Sequence, residues 1–164
     1  IAEKCVAAFN MNIKVYDPPV YKKFELPEKY EWVETIDELV TDTDYISLNL
    51  PLLPSTKNII GEKQFNLMKE TTIFINCSRG GTVNEEDLYN ALYHNKIFAA
   101  GVDVFSPEPP LANNKLFELD NIILTPHVAA SSKESVEAMA LEVAQGVIDV
   151  LNGNTPYSIV NFRK

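Results

Sequence analysis

Apolar and polar positions change period repeatedly along the chain, and the changes sort it into alternating helices and strands. Ala2, Cys5, Val6 and Phe9 recur at helical spacing and predict an amphipathic helix over residues 1–11. Residues 13–17 alternate as a short strand that Pro18 and Pro19 stop. Thr35 with Glu38 reads as a capping box opening a short helix around Leu39 and Val40. A strand over 45–50 ends at Pro51, Pro54 follows in a loop, and Phe65, Leu67 and Met68 mark a second short helix. Residues 72–77 form a buried strand followed at once by Ser78-Arg79-Gly80-Gly81. Asn84 then caps a helix that buries Leu88, Ala91 and Leu92. Residues 98–105 make the next strand, broken by a proline-rich loop over 106–110, and 122–125 the last, ending at Pro126-His127. Ser131 with Glu134 repeats the capping box. The long helix behind it carries Val136, Met139, Ala140, Val143, Val147 and Val150 on one face, to be stopped by Gly153.

Apolar strands separated by helices predict a parallel sheet covered on both faces, a doubly wound α/β domain of Rossmann-like type. Such a domain ordinarily opens with a strand, a Gly-x-Gly-x-x-Gly turn, a helix, and a second strand ending in an acidic residue. The helix, the second strand and its terminal Asp17 are present from the first residue onward. The expectation is that the first strand and the glycine-rich loop lie before Ile1. Residues 1–154 then form a partial dinucleotide-binding domain, and 155–164 a tail leaving it.

Composition narrows the choice of partners. A length of 164 residues suits one domain, and 46% apolar with 23% charged residues is ordinary for a globular chain. No run of about 18 apolar residues is available to span a membrane, and the first residues read as a helix rather than a signal peptide. A net charge of −9, with no interleaving of basic and aromatic residues around Trp32 or the tyrosines, argues against nucleic acid. The acidic run Asn84-Glu85-Glu86-Asp87 falls where a helix begins and complements its dipole. Cys5 and Cys77 sit in apolar segments without metal-ligand spacing. They read as buried free thiols of a cytoplasmic protein, and no metal is expected. His94 reads as a surface residue near a helix end, and Met68 and Met139 as core fillers.

Ligands of open α/β sheets bind beyond the carboxyl ends of the strands. The polar groups at those ends are Asp17, Asn49, Cys77-Ser78-Arg79, Asp103 with Glu108 shortly after, and His127. Such a set suits hydride reduction of a 2-oxo acid. Arg79 can fork onto the substrate carboxylate, His127 can exchange a proton with the carbonyl oxygen, and Glu108 can favour the imidazolium. Each also has a plain alternative: Arg79 as a turn residue, His127 as a loop residue, Glu108 as a solvated glutamate, and Asp17 as a cap before the prolines.

Five ordered blocks carry a family resemblance: Val15-Tyr16-Asp17, residues 47–52 with Thr56, residues 75–81, residues 101–109, and residues 125–129. Together they resemble the NAD-binding domain of the D-isomer-specific 2-hydroxyacid dehydrogenases, over almost the whole chain. Residues 126–153 resemble the phosphoglycerate dehydrogenases and hydroxypyruvate or glyoxylate reductases within that family. The resemblance implies an NAD-dependent oxidoreductase acting on a small D-2-hydroxy or 2-oxo acid. It implies Arg79 as the substrate-binding arginine, Glu108 as the partner of the histidine, and His127 as the acid/base. Asp17 would hold the adenosine ribose and disfavour a 2′-phosphate. Leu50, Pro51 and Thr56 would wall the adenosine half, and Cys77, Arg79 and Asp103 would stand near the nicotinamide, with Asp103 on its carboxamide. Asn49 departs from the histidine many relatives carry. Residues 157–162 resemble the stretch returning towards a substrate domain, and a homodimer is expected. Without the phosphate loop and the substrate domain, the chain alone is expected to be inert and to bind NAD poorly. The alternative reading is a non-enzymatic, dimeric NAD-sensing scaffold.

Overall fold

The structure, a computed structural model, describes residues 1–17 and 26–159. Pro18 and Pro19, and residues 160–162 of the closing segment, lie outside that range. The described chain divides into two compact units, Ile1–Pro126 and His127–Lys164.

The first unit is α/β and Rossmann-like. In chain order its elements are α1 (Ala2–Phe9), β1 (Ile13–Val15), β2 (Tyr30–Trp32), α2 (Ile36–Val40), β3 (Tyr45–Leu48), α3 (Glu62–Leu67), β4 (Ile73–Asn76), α4 (Glu85–Tyr93), β5 (Ala99–Val102) and β6 (Ile122–Leu124). Short 3₁₀ turns over Gly80–Thr82 and Lys115–Glu118 complete it. All strand pairs among the described residues are parallel, and α3 and α4 supply the crossovers from β3 to β4 and from β4 to β5. Where the pattern predicted one sheet, the described residues form two: β1 with β2, and β3-β4-β5-β6 in sequential order. β2 was not foreseen, because three residues with a glutamate in the middle carry too little periodicity to register.

Alternation within the strands decides what is buried. Ile46 and Leu48 of β3, Phe74 and Asn76 of β4, and Ala100 and Val102 of β5 point to one face. There they pack with Phe65 of α3, Leu88, Ala91 and Leu92 of α4, and Leu116. Phe74 is fully buried and meets Phe65 edge to face, with ring centroids 5.5 Å apart. Truncating it to alanine would cost about 3–5 kcal/mol. The opposite face is not closed in the same way: Tyr45 and Ser47 are exposed, and so is Ile123 of β6, at 73%.

Local signals set the helix ends. The Thr35 hydroxyl accepts from the Glu38 amide (3.1 Å) and starts α2, while the Glu38 carboxylate reaches back to the Glu34 amide (2.9 Å) rather than to Thr35. Asn84 caps α4 by accepting from the amides of Glu86 and Asp87. His94 is exposed at the end of α4, as expected.

The second unit is built on α5 (Lys133–Leu151). Its cap is Ser132, which accepts from the Ser135 amide, and not the predicted Ser131 with Glu134. Gly153 takes a positive φ of 74° just past the helix, the backbone conformation in which glycine has no Cβ penalty. Beyond it the chain turns back, so that Pro156 approaches Gly146 and the Ser158 hydroxyl donates to the Glu142 carboxylate. The apolar stripe predicted to be buried is exposed along its length, with Met139 at 52% and Val143 at 69%. Met139 is therefore not a core filler, whereas Met68 is. In the stripe of α1, Ala2, Cys5 and Val6 are half-buried and Phe9 is 72% exposed. Helical periodicity says that one side is apolar; it does not say that this chain covers that side.

Candidate active site

Register lines up the strand ends. Leu48, Asn76, Val102 and Leu124 share one row across β3 to β6. The next residues, Asn49, Cys77, Asp103 and Thr125, therefore stand together at the carboxyl edge. Parallel strands spaced about 4.8 Å apart bring such neighbours within reach of one small molecule. The Thr125 hydroxyl donates to the buried Asp103 carboxylate, which directly ties β5 to β6 beyond the last ladder pair. Asp17 follows β1, in the two-stranded sheet, so this register does not extend to it. Glu108 lies farther along the loop after β5, exposed, and His127 opens the second unit with a left-handed φ of 54°.

Cys77 corrects the expectation of a buried thiol: it is exposed, and Cys5 is half-buried. Partial desolvation, and behind it the negative charge of Asp103, push the Cys77 thiol above its ordinary range. No group of three or more potential metal ligands exists among the described residues.

Behind Arg79 lies a turn that sequence reasoning did not anticipate. Asn76 closes β4 with its side chain on the buried face, and the buried Thr82 and Ser78 surround it. The Asn76 amide oxygen accepts from the Ser78 amide (3.0 Å) and hydroxyl (2.8 Å), and its nitrogen donates to the Arg79 carbonyl (3.2 Å). Thr82 donates its hydroxyl to the same carbonyl (2.6 Å). The Arg79 side chain itself emerges exposed, one nitrogen donating to the Ser78 carbonyl (2.7 Å). A polar residue at an inward position of an otherwise apolar strand was the available signal, because a buried amide must be satisfied somewhere.

Gly80 explains why glycine follows the arginine. A Cβ there would lie 2.0 Å from the Phe105 carbonyl oxygen, so the turns after β4 and β5 touch backbone to backbone. The loop after β3 joins the same assembly: the Asn58 amide donates to the Gly81 carbonyl (2.9 Å), and Ile60 bridges to Val83. Leu50 is half-buried and Pro51 exposed at the start of that loop. Thr56 is buried. Its hydroxyl donates to the Pro51 carbonyl (2.6 Å) and accepts from the Leu53 amide (2.8 Å). It shapes the loop from within, leaving Leu52 and Leu53 exposed upon it.

The acidic run at the start of α4 does more than complement a dipole. Glu85 accepts from the Ser106 amide and from the Asn114 side chain (3.0 Å), holding the loop that carries Glu108. Glu86 pairs with Lys115 (2.7 Å), and Asp87 accepts from the Glu62 amide (3.0 Å) at the start of α3.

A parallel sheet with loops from successive strands knitted together at its carboxyl edge defines a nucleotide-binding α/β domain. The chain belongs to the family described as D-isomer specific 2-hydroxyacid dehydrogenase, NAD binding domain, whose profile matches residues 1–129. It is 44% identical over 158 residues to a D-3-phosphoglycerate dehydrogenase of Methanocaldococcus jannaschii, covering 96% of this chain and 30% of that protein. It is 39% identical over 150 residues to a hydroxypyruvate reductase of Thermotoga maritima, covering 90% of this chain and 48% of the relative. Among solved structures, D-lactate dehydrogenase with NAD+ from Lactobacillus jensenii superposes with a TM-score of 0.75 at 33% identity, over 90% of this chain and 46% of that one. The chain thus spans from 30% to 48% of the length of these relatives.

Proposed function

We propose that this chain is the cofactor half of an NAD-dependent D-2-hydroxyacid dehydrogenase and supplies both its substrate arginine and its acid/base. Membership of the family supports the reading, and the observation that carries it is the aligned strand edge with Arg79 presented on a pinned turn. The groups suit the dinucleotide: the Asp103 carboxylate at that edge would accept from a carboxamide, the Asp17 carboxylate after β1 would accept from ribose hydroxyls, and Leu50, Pro51 and the loop shaped by Thr56 would offer apolar surface to an adenosine. Cys77 stands beside Asp103 at that edge and would face the nicotinamide.

When bound, the nicotinamide supplies or accepts the hydride. The protein's own part is to bind, orient and move one proton. The Arg79 guanidinium grips the substrate carboxylate through two parallel hydrogen bonds and polarises the neighbouring carbonyl. His127 donates a proton to the carbonyl oxygen during reduction and removes it from the hydroxyl during oxidation. Glu108 is the carboxylate we assign as partner of that imidazole in the full-length protein.

The test is NADH oxidation by the full-length protein against a panel of 2-oxo acids. Turnover should fall by about a thousandfold in Arg79→Gln and in His127→Asn. Asparagine tolerates the left-handed backbone at 127, so a loss there reports the missing imidazole rather than a strained loop. Tight NADH binding with no turnover on any acid would overturn the enzyme in favour of the sensing scaffold.

The chain alone should be inert towards 2-oxo acids. The exposed apolar stripe of α5 supports a homodimer, which light scattering would detect. Two free thiols suit a reducing compartment such as the cytoplasm. No described helix is long and apolar enough to cross a membrane.

A further inference from the structure

We propose that Asn76, Ser78 and Thr82 form a positioning device that fixes the backbone on both sides of Arg79 and thereby sets where its guanidinium points. The inference rests on the reading of Arg79 as the substrate-binding arginine. An exposed arginine is a long, mobile lever, and its reach is defined only as well as the backbone that carries it. The structure fixes that backbone to an unusual degree. The carbonyl of Arg79 accepts from the Asn76 amide, the Thr82 hydroxyl and the Thr82 backbone amide, the last at 3.3 Å. One residue earlier, the Ser78 amide is held by the other end of the same Asn76 side chain. The Ser78 carbonyl then receives the guanidinium's own hydrogen bond.

A single buried amide therefore spans the turn, one end before Arg79 and one after it. None of the three residues reaches the open edge through its own side chain. Asn76 and Thr82 are essentially inaccessible, and Ser78 is buried with its hydroxyl given to Asn76. Their chemistry is spent on the turn, which is rigid because low-dielectric hydrogen bonds with no water to replace them are costly to break. The turn cannot relax in the other direction either, since Gly80 already touches the Phe105 backbone.

The experiment uses the full-length protein and the near-isosteric variant Thr82→Val, with Asn76→Ala as a harsher second variant. A displaced arginine should cut kcat/KM for the 2-oxo acid by about a hundredfold, while KM for NADH stays within about twofold. In an Arg79→Gln background, Thr82→Val should have almost no further effect, because groups acting through one another are not additive. Losses that multiply across the two sites would overturn the proposal, as would an undiminished kcat/KM in Thr82→Val. A crystal structure of Thr82→Val supplies an arm independent of turnover: a shifted or disordered Arg79 supports the device, and an Arg79 superposing on the wild type refutes it. A wild-type protein without activity on any acid would defeat the dehydrogenase reading alone, and the crystallographic arm would then decide the positioning.

Discussion

Gly80→Ala tests the packing of the site without touching any titratable group. The added Cβ would stand 2.0 Å from the Phe105 carbonyl oxygen and 2.1 Å from its carbonyl carbon, so the two segments must part by about 1.4 Å to reach ordinary contact at 3.4 Å. Neither neighbour is a side chain that could swing away. Phe105 is itself buried and meets Phe117 at a ring distance of 6.2 Å, and the Gly80 carbonyl is engaged by the Val83 amide. Forced packing of backbone on backbone belongs at the top of the usual range, about 3 kcal/mol. For a chain of this size that is a fall in Tm of about 6–12 °C. Gly101→Ala is the internal control. It lies one strand away in β5 with nothing within 4 Å of its would-be Cβ, so relief of glycine's entropy should stabilise it by about 0.5 kcal/mol. Urea unfolding of the two variants beside the wild type measures both. If Gly80→Ala falls within 1 kcal/mol of the wild type, or the two alanines behave alike, the close approach does not constrain the fold as argued.

Two further outcomes follow from the electrostatics. Asp37 accepts from Gln64 (3.0 Å) and pairs with Lys63, joining α2 to α3, and the Lys63 and Gln64 hydrogen bonds hold its carboxyl below the ordinary value of 3.8. A depressed pKa contributes stability above the ordinary carboxylate value and loses it as pH falls through the folded value. The gap in urea midpoint between wild type and Asp37→Asn should therefore be present at pH 7 and close in strong acid; a gap that persists there would refute the pairing. Cys77, although exposed, should alkylate more slowly at neutral pH than a free cysteine, and Asp103→Asn should speed it by removing one of the two causes. A rate unchanged by Asp103→Asn, read on the Cys77 peptide by mass spectrometry, would leave desolvation as the sole cause.

The elements legible in the sequence were those with strong local chemistry. Asn84 as a cap, and Leu88, Ala91 and Leu92 as a buried face, are settled within α4 by spacing alone. The strand ends were legible too, because Pro51, Arg79-Gly80-Gly81 and Pro126 punctuate them. What escaped was everything decided between distant segments. The carboxylates of Glu85, Glu86 and Asp87 read locally as a favourable helix start, yet their partners lie 21 to 29 residues away. The exposure of Val143 and Val147 escaped for a related reason: a stripe's period is fixed by its own residues, and its cover is fixed by others. Cys77 is exposed although its segment is apolar, because just past the end of a strand the chain is already leaving the core.

The Glu85 carboxylate has a consequence for how such a loop can change. Its two oxygens hold Ser106 and Asn114, the two ends of a single excursion of the chain. Closing a longer excursion between fixed ends adds only about 0.6 kcal/mol for each doubling of its length. Residues 109–113, beyond Glu108, can therefore change in length at little cost to the sheet beneath. One side chain at the start of a helix thus clamps both ends of the stretch and uncouples its length from the sheet.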